Sequence, residues 1–297
     1  MKEGDMSMSG KVCLVTGATS GIGRATAIEL AKLEATILIL GRNENRAKRL
    51  CAKIRSENPR AKVEYFIADL SSQQDIYTMS NQFKQKYNKL DVLVNNAGAK
   101  FVERHTTVDG YERTFALNHM GYFMLTHLLI DRLKAAGSAR IINVSSGAHG
   151  GNTINFDDLQ NEKDYVGKIA YGQSKLANLL FTYELAKRVN GSGVTVNAMA
   201  PGGVITNFCR NNGWVSWGKH IVAHILARNL IGPKKAADTV VYLASSLEVD
   251  GVTGKYFYNK DAVDSSGASY DGKSAKKLWE ISKELVGREY REYVQFN

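Results

Sequence analysis

The sequence predicts an α/β fold, a doubly wound sheet of seven parallel strands flanked by helices on both faces, and two observations predict it. Short apolar, β-branched runs alternate with longer stretches of helical period from the start of the chain, the pattern of successive βαβ units. A cluster of three glycines follows directly on the first of those runs and leads into the first helical stretch.

The strands are expected at 12–16, 36–40, 63–68, 92–94, 140–144, 194–198 and 256–258, whose brevity and β-branched content suit buried central positions. Helical periodicity covers 21–33, 44–57, 72–87, 110–136, 165–189, 233–246 and 273–286. No Pro/Gly/Ser linker or shift of composition marks a boundary, so one domain with right-handed crossovers is expected across 1–297. Within it, 208–232 reads as a lid segment after the sixth strand and 265–297 as a C-terminal helical extension.

Hydrophobic residues at 44% and charged ones at 23% suit a soluble globular chain. The net charge of +10 favours an anionic partner, but Lys and Arg are scattered, with only pairs such as Lys234 with Lys235 and Lys276 with Lys277. Aromatic residues do not alternate with them, so nucleic acid is not expected and a phosphorylated small molecule fits better. Cys13, Cys51 and Cys209 are too few and too far apart for a disulfide framework or a zinc cluster, which points to a reducing, cytoplasmic compartment. The first ten residues lack the apolar stretch of a signal peptide, and no run approaches the ~18 apolar residues of a membrane span.

The glycine cluster reads Thr16-Gly17-Ala18-Thr19-Ser20-Gly21-Ile22-Gly23-Arg24. Such glycines permit a tight turn and close backbone approach to a pyrophosphate, and the helix that follows offers it unpaired N–H groups. A plain strand-to-helix turn is the alternative for the glycines alone; their place in the first βα unit favours a dinucleotide. At the end of the second strand, Gly41 and Arg42 stand where an NAD site would carry an acidic residue for the ribose 2′-hydroxyl. Arg42 and Arg24 can pair with a 2′-phosphate, so NADP(H) is the expected cofactor, two solvated arginines being the alternative.

Tyr171 and Lys175 lie four apart on a predicted helix and share one face. A nearby ammonium favours phenolate and lowers the phenol pKa from ~10, so Tyr171 can give a proton to a carbonyl oxygen or take one from an alcohol. Ser146, or in its place Ser145, would hydrogen-bond the same oxygen. Tyr183 with Lys187 and Tyr256 with Lys260 repeat the spacing, but only Tyr171 follows the serine-bearing strand end.

The spacing T-G-x-x-x-G-x-G resembles the short-chain dehydrogenase/reductase family, and further motifs fall in that family's order. They are Asp69-Leu70, Asn95-Asn96-Ala97-Gly98, Asn118, Asn143-Val144-Ser145-Ser146, Tyr171-Gly172-Gln173-Ser174-Lys175 and Pro201-Gly202, together covering most of 11–260. The resemblance implies a Rossmann fold and hydride transfer between a nicotinamide cofactor and a carbonyl or alcohol. It implies catalytic roles for Asn118, Ser146, Tyr171 and Lys175, with Asn118 anchoring a proton relay through Lys175 and Lys175 also contacting the nicotinamide ribose. It implies cofactor contacts from Gly17, Thr19, Ser20, Gly21, Ile22, Gly23, Arg24 and Arg42, from Asp69 at the adenine ring, and from Leu70, Asn96, Ala97, Gly98, Asn118, Val144, Tyr171, Lys175, Pro201, Gly202 and Val204. Thr206 matches the family threonine that orients the nicotinamide carboxamide. No metal is implied.

The 208–232 segment carries Trp214, Trp217, Ile221, Val222, Ile225 and Leu226 at helical spacing, with Arg210, Lys219 and Arg228 and no acidic residue. A lid over an apolar substrate is expected; a basic amphipathic helix making peripheral contact with a membrane or a partner is the alternative. His220 and His224 lack a third ligand and are expected to be solvated. The stretches 154–159, 176–181 and 275–280 resemble the retinol-dehydrogenase branch and related reductases of lipophilic carbonyls, without the membrane anchor of many vertebrate members. A bulky retinoid-, steroid- or polyketide-like substrate follows from that resemblance. Family members commonly pair into dimers or tetramers, and a homodimer is expected on that ground alone. The rival reading is a catalytically silent dinucleotide-binding scaffold, against which the intact Ser146, Tyr171 and Lys175 argue.

Overall fold

In the computed structural model, residues 7–204 and 230–292 are described. The strands are β1 (Val12–Thr16), β2 (Thr36–Gly41), β3 (Val63–Ile67), β4 (Val92–Asn95), β5 (Ala139–Val144), β6 (Val194–Ala200), β7 (Gly203–Val204), β8 (Leu230–Ile231), β9 (Tyr256–Tyr258) and β10 (Asp261–Val263). The helices are α1 (Gly21–Lys32), α2 (Glu44–Glu57), α3 (Gln73–Lys86), α4 (Arg113–Phe115), α5 (Gly121–Leu128), α6 (Ile130–Lys134), α7 (Gly167–Arg188), α8 (Pro233–Ser245), α9 (Gly272–Leu285) and α10 (Arg288–Arg291).

The main sheet runs β10-β9-β6-β5-β4-β1-β2-β3, so strand order reverses between β1 and β4, the switch point of a doubly wound fold. Successive residues of the central strands point to opposite faces. Leu14, Leu38 and Leu40 join the core under α3, α5, α7 and α9 with Phe123, Leu180 and Trp279. Cys13, Val15, Ile37 and Ile39 join the other core with Leu30, Leu50, Ile54 and Leu243 of α1, α2 and α8. Helices on both faces explain why these strands read as unbroken apolar runs. At the base of the sheet the buried Asp91 carboxylate accepts from Val12 N at 2.9 Å and pairs with Lys11 and Lys89, each at 3.1 Å, tying the starts of β1 and β4 together.

Two expectations need correction. The main sheet has eight strands rather than seven, because β10 adds antiparallel to β9 through a two-residue turn. Asn259 and Lys260 hold positive φ there (50° and 72°), the hairpin geometry that glycine usually signals, and every β10 side chain is exposed, so no apolar pattern betrays it. β7 and β8 form a separate parallel pair. The single helix expected over 110–136 is instead broken into α4, a π-helical turn (Ala116–Met120), α5 and α6. The wide turn forms where Asn118 is held by the backbone of Ala99, a tertiary cause. The expected lid lies outside the described residues except for 230–232, and Trp214, Trp217, His220 and His224 lie outside them too.

The C-terminal helix α9 packs against α7, seating the buried Trp279 against Phe123, His127 and Phe181, with the Arg188 guanidinium 4.2 Å above its ring. His119 Nε2 meets Ser282 Oγ at 2.8 Å and His127 Nδ1 donates to Phe123 O at 2.6 Å. Burial pushes the His119 and His127 imidazoles down to about 3 and about 4, so both are neutral in the fold. The unfolded chain protonates them near 6.5, so their contribution is complete above that pH and is lost as pH falls from 6.5 toward about 4 for His127 and about 3 for His119. His127 alone accounts for a loss on the order of 3 kcal/mol by pH 4. Thermal melts across this window should show a steady drop in Tm that His127→Phe makes shallower; a flat profile would contradict neutral, buried imidazoles.

Candidate active site

The turn after β1 and the turn after β4 meet backbone to backbone. Gly17 and Gly21 take positive φ (63° and 54°), and a Cβ on Gly17 would lie 2.9 Å from Ala97 Cα. A Cβ on Gly23 would lie 2.5 Å from Asn96 Nδ2 and 2.8 Å from Gly17 O. Thr16 Oγ1 closes the junction, accepting from Asn96 N (2.8 Å) and Ala97 N (2.9 Å) and donating to Val94 O (3.1 Å), while Asn96 Nδ2 donates to Thr16 O (2.7 Å). Beyond it the first turn of α1 carries no acidic residue and Ser20 makes no side-chain cap, leaving the helix N-terminus open to an anion. These features fit a dinucleotide pyrophosphate.

A cavity of about 420 Å³ beside this turn is lined by Thr19, Ser20, Gly21, Arg24, Arg46, Arg49 and Leu50. Arg46 and Arg49 were not singled out in the sequence; their signal is two arginines three apart in the opening turns of α2, whose N-cap Asn43 accepts from Arg46 N. Arg42 and Asp69, assigned separate duties by sequence, pair with each other at 3.4 Å. Burial acts to raise the Asp69 carboxyl, but hydrogen bonds from Ser71 N and Oγ and the Arg42 guanidinium outweigh it and hold the group below its ordinary value. The Arg42 side chain is half exposed, so this pair is weak and open to rearrangement.

At the C-terminal ends of β4 and β5 a second group assembles. Asn118 Oδ1 accepts from Ala99 N (2.9 Å), and its Nδ2 donates to Ala99 O (3.0 Å) and to Ser174 Oγ (2.9 Å). Ser174, which the sequence reading left without a role, passes its own hydrogen to Tyr171 O at 2.8 Å. Lys175 is buried; its Nζ donates to Val144 O at 2.9 Å and lies 5.7 Å from the centroid of the Tyr171 ring. Burial pulls the Lys175 ammonium from near 10.5 down to about 7. A Cβ on Gly98 would sit 3.1 Å from Asn118 Oδ1 and 3.5 Å from Lys175 Nζ, so this glycine lets the loop after β4 close over both.

The two serines part company. Ser145 is buried and spends its hydrogen on Lys175 O at 2.9 Å. Ser146 is half-buried, and its Oγ accepts from Ala148 N at 3.2 Å, which leaves its hydrogen to give. Leu70 is buried beneath α5, where a Cβ on Gly121 would lie 2.5 Å from Leu70 O. Pro201, Gly202 (φ 77°) and the buried Val204 follow β6 at the same edge of the sheet. Thr206 lies outside the described residues. Of the two repeated spacings, the Tyr183 hydroxyl shares a hydrogen bond with Ser265 Oγ (2.6 Å) and its ring stacks on Tyr270, and Tyr256 is buried in β9 against His149. Among the described residues no group of His, Cys, Asp and Glu is arranged to hold a metal ion, and no helix is long and apolar enough to cross a membrane.

The contact at Gly23 yields a direct test. Gly23→Ala should destabilise the fold by about 1–3 kcal/mol, the usual cost of overpacking, and weaken dinucleotide binding as the two turns separate. Chemical denaturation alongside cofactor titration checks both, and an unaffected variant would mean the turns are looser than described.

The family model described as short chain dehydrogenase matches residues 11–213. Polyprenol dehydrogenase of Homo sapiens is 40% identical over 289 residues, spanning 93% of this chain and 85% of its own. Retinol dehydrogenase 12 of Mus musculus is 38% identical over 283 residues, spanning 95% and 88%. Among solved structures, an uncharacterized protein from Mycobacterium Paratuberculosis has a TM-score of 0.77 at 29% identity, covering 99% of this chain and 97% of that one. One described as an NAD(P) dependent gluconate 5-dehydrogenase from Beutenbergia cavernae, with bound NADP at low occupancy, has a TM-score of 0.69 at 28% identity and covers 86% and 97%.

Proposed function

The chain belongs to the short-chain dehydrogenase family of oxidoreductases acting on alcohol and carbonyl groups, and from that premise we propose that it moves a hydride between NADP(H) and a bulky apolar carbonyl or alcohol. The observation that carries the reading is the chain of contacts running from Asn118 through Ser174 to Tyr171 and Lys175, with Lys175 Nζ bonded to Val144 O two residues before Ser146.

Bound NADPH supplies the hydride. Ser146, anchored by Ala148 N, donates its hydrogen to the substrate oxygen. Tyr171 gives that oxygen its phenolic proton, and the Lys175 ammonium beside the ring favours the phenolate left behind. Asn118, locked between Ala99 and Ser174, ties the loop after β4 to the helix bearing Tyr171 and so fixes the depth of the site. In alcohol oxidation the same groups run the proton the other way.

The choice of NADP(H) is supported by Gly41-Arg42, which places a guanidinium and not an acidic residue at the end of β2, and by Arg24 in the adjoining cavity. The apolar substrate is supported by Val102, Val166 and Ile169, three aliphatic side chains about half exposed near the start of the helix that carries Tyr171. The relatives named for polyprenol and retinol, both apolar alcohols, agree with it. The free, buried thiols Cys13 and Cys51 support a cytoplasmic setting as part of the same proposal.

A carbonyl and alcohol panel with NADPH and NADP, followed at the nicotinamide absorbance, tests the activity. Tyr171→Phe should lower turnover by about a hundredfold to ten-thousandfold, and Tyr183→Phe should leave it within a few-fold. Full activity in Tyr171→Phe would show that another group carries the proton. Fluorescence titration should give NADPH a preference over NADH of roughly tenfold or more, which Arg42→Asp erases; equal affinities in the unmodified protein would overturn the cofactor assignment.

A further inference from the structure

Tyr122 lies on α5, four residues beyond Asn118, and is fully buried. Its hydroxyl has no hydrogen-bond partner among the described residues. Burial first, and then the neighbouring Tyr171, push its phenol well above the ordinary value, so it remains un-ionised and offers neighbours the face of its ring. Lys175 Nζ stands 5.6 Å from the centroid of that ring and 5.7 Å from that of Tyr171. Both separations lie within the reach of cation–π attraction.

The groups that face this ammonium are the Val144 carbonyl from β5, the Asn118 side chain beside Gly98, and the two phenol rings from α7 and α5. Burial is the one cause that moves its titration, and no carboxylate pairs with it among the described residues. A buried cation with no counter-charge needs other support to keep its proton. We propose that Tyr122 is a positioning residue, whose ring face holds the Lys175 ammonium in its charged form and against Tyr171. The proposal rests on Tyr171 and Lys175 being the proton-transfer pair.

The ring contact and the function reading are separable by experiment. With selectively 15N-labelled lysine, an NMR titration reads the Lys175 ammonium directly, whether or not a substrate has been found. Tyr122→Phe keeps the ring and should keep the Lys175 midpoint near 7. Incorporating pentafluorophenylalanine at Tyr122 preserves the packing but reverses the ring's electrostatics, and should lower the midpoint by about one pH unit. Tyr122→Leu should lower it similarly. In steady-state kinetics the alkaline limb of kcat/KM for carbonyl reduction should move with the NMR midpoint, giving a loss of about fivefold at pH 7 that disappears in acid. An unmoved midpoint in the fluorinated protein, or an equal shift in Tyr122→Phe, would overturn the proposal. A moved midpoint without turnover on any carbonyl would keep the ring contact and overturn the function reading. The fluorinated variant decides the matter if Tyr122→Leu fails to fold.

Discussion

Thr16 joins two turns that leave neighbouring strands, and the remainder of the site takes its position from that bond. Its single hydroxyl accepts two amide hydrogens from the turn after β4 and donates one of its own to Val94 O. Backbones can approach so closely only because Gly17 and Gly23 present no side chains at the contact. The same junction sets the height of α1 above the sheet and the path of the loop through Gly98 and Ala99, which Asn118 then grips. The open N-terminus of α1 and the loop that Asn118 grips therefore hang from one polar knot at the switch point of the sheet.

Beneath that knot the interior is polar and buried. Asn95 Nδ2 donates to Thr126 Oγ1 and to Asn143 Oδ1, and Asn143 Nδ2 donates to Thr182 Oγ1, a ladder crossing from α5 through two strands to α7. Lys175 sits above it with a backbone carbonyl and two aromatic rings as neighbours. In such surroundings hydrogen bonds strengthen and unpaired charge becomes costly, so small changes in the packing around Lys175 translate into large changes in its proton affinity.

Much of this was legible in the chain because several signals coincide. α2 spans the residues its period indicates, and the seven parallel strands lie within two residues of their expected bounds, since sheet faces covered on both sides produce apolar runs without polar interruptions. The nearness of Lys175 to the Tyr171 ring was readable from helical spacing, but spacing alone would equally have paired Tyr183 with Lys187, and the Tyr183 hydroxyl meets Ser265. What was not legible arises across space. The π turn occupies Ala-Leu-Asn-His-Met, residues an ordinary helix accepts, and only the loop after β4 explains the widening. Arg42 and Asp69 are 27 positions apart, and no local pattern announces that they pair. The same holds for Tyr122, which looks like one more apolar residue of its helix until Lys175 is placed over its ring.

The C-terminal helix bears on the order in which the molecule can be built. α9 supplies Trp279 to the aromatic layer on α7, and the residue that ends α9 is tied to the start of α3, Leu285 O accepting from Gln73 Nε2 and from Tyr111 Oη at 2.8 Å each. The helix bearing Tyr171 and Lys175 thus has one flank that only the last-made part of the described chain can cover. During synthesis the sheet and the dinucleotide cradle have their residues in hand well before that flank is sealed. A nascent chain would lack the Trp279 cover over Phe123, His127 and Phe181 until that residue emerges, an interval in which exposed aromatic surface favours aggregation.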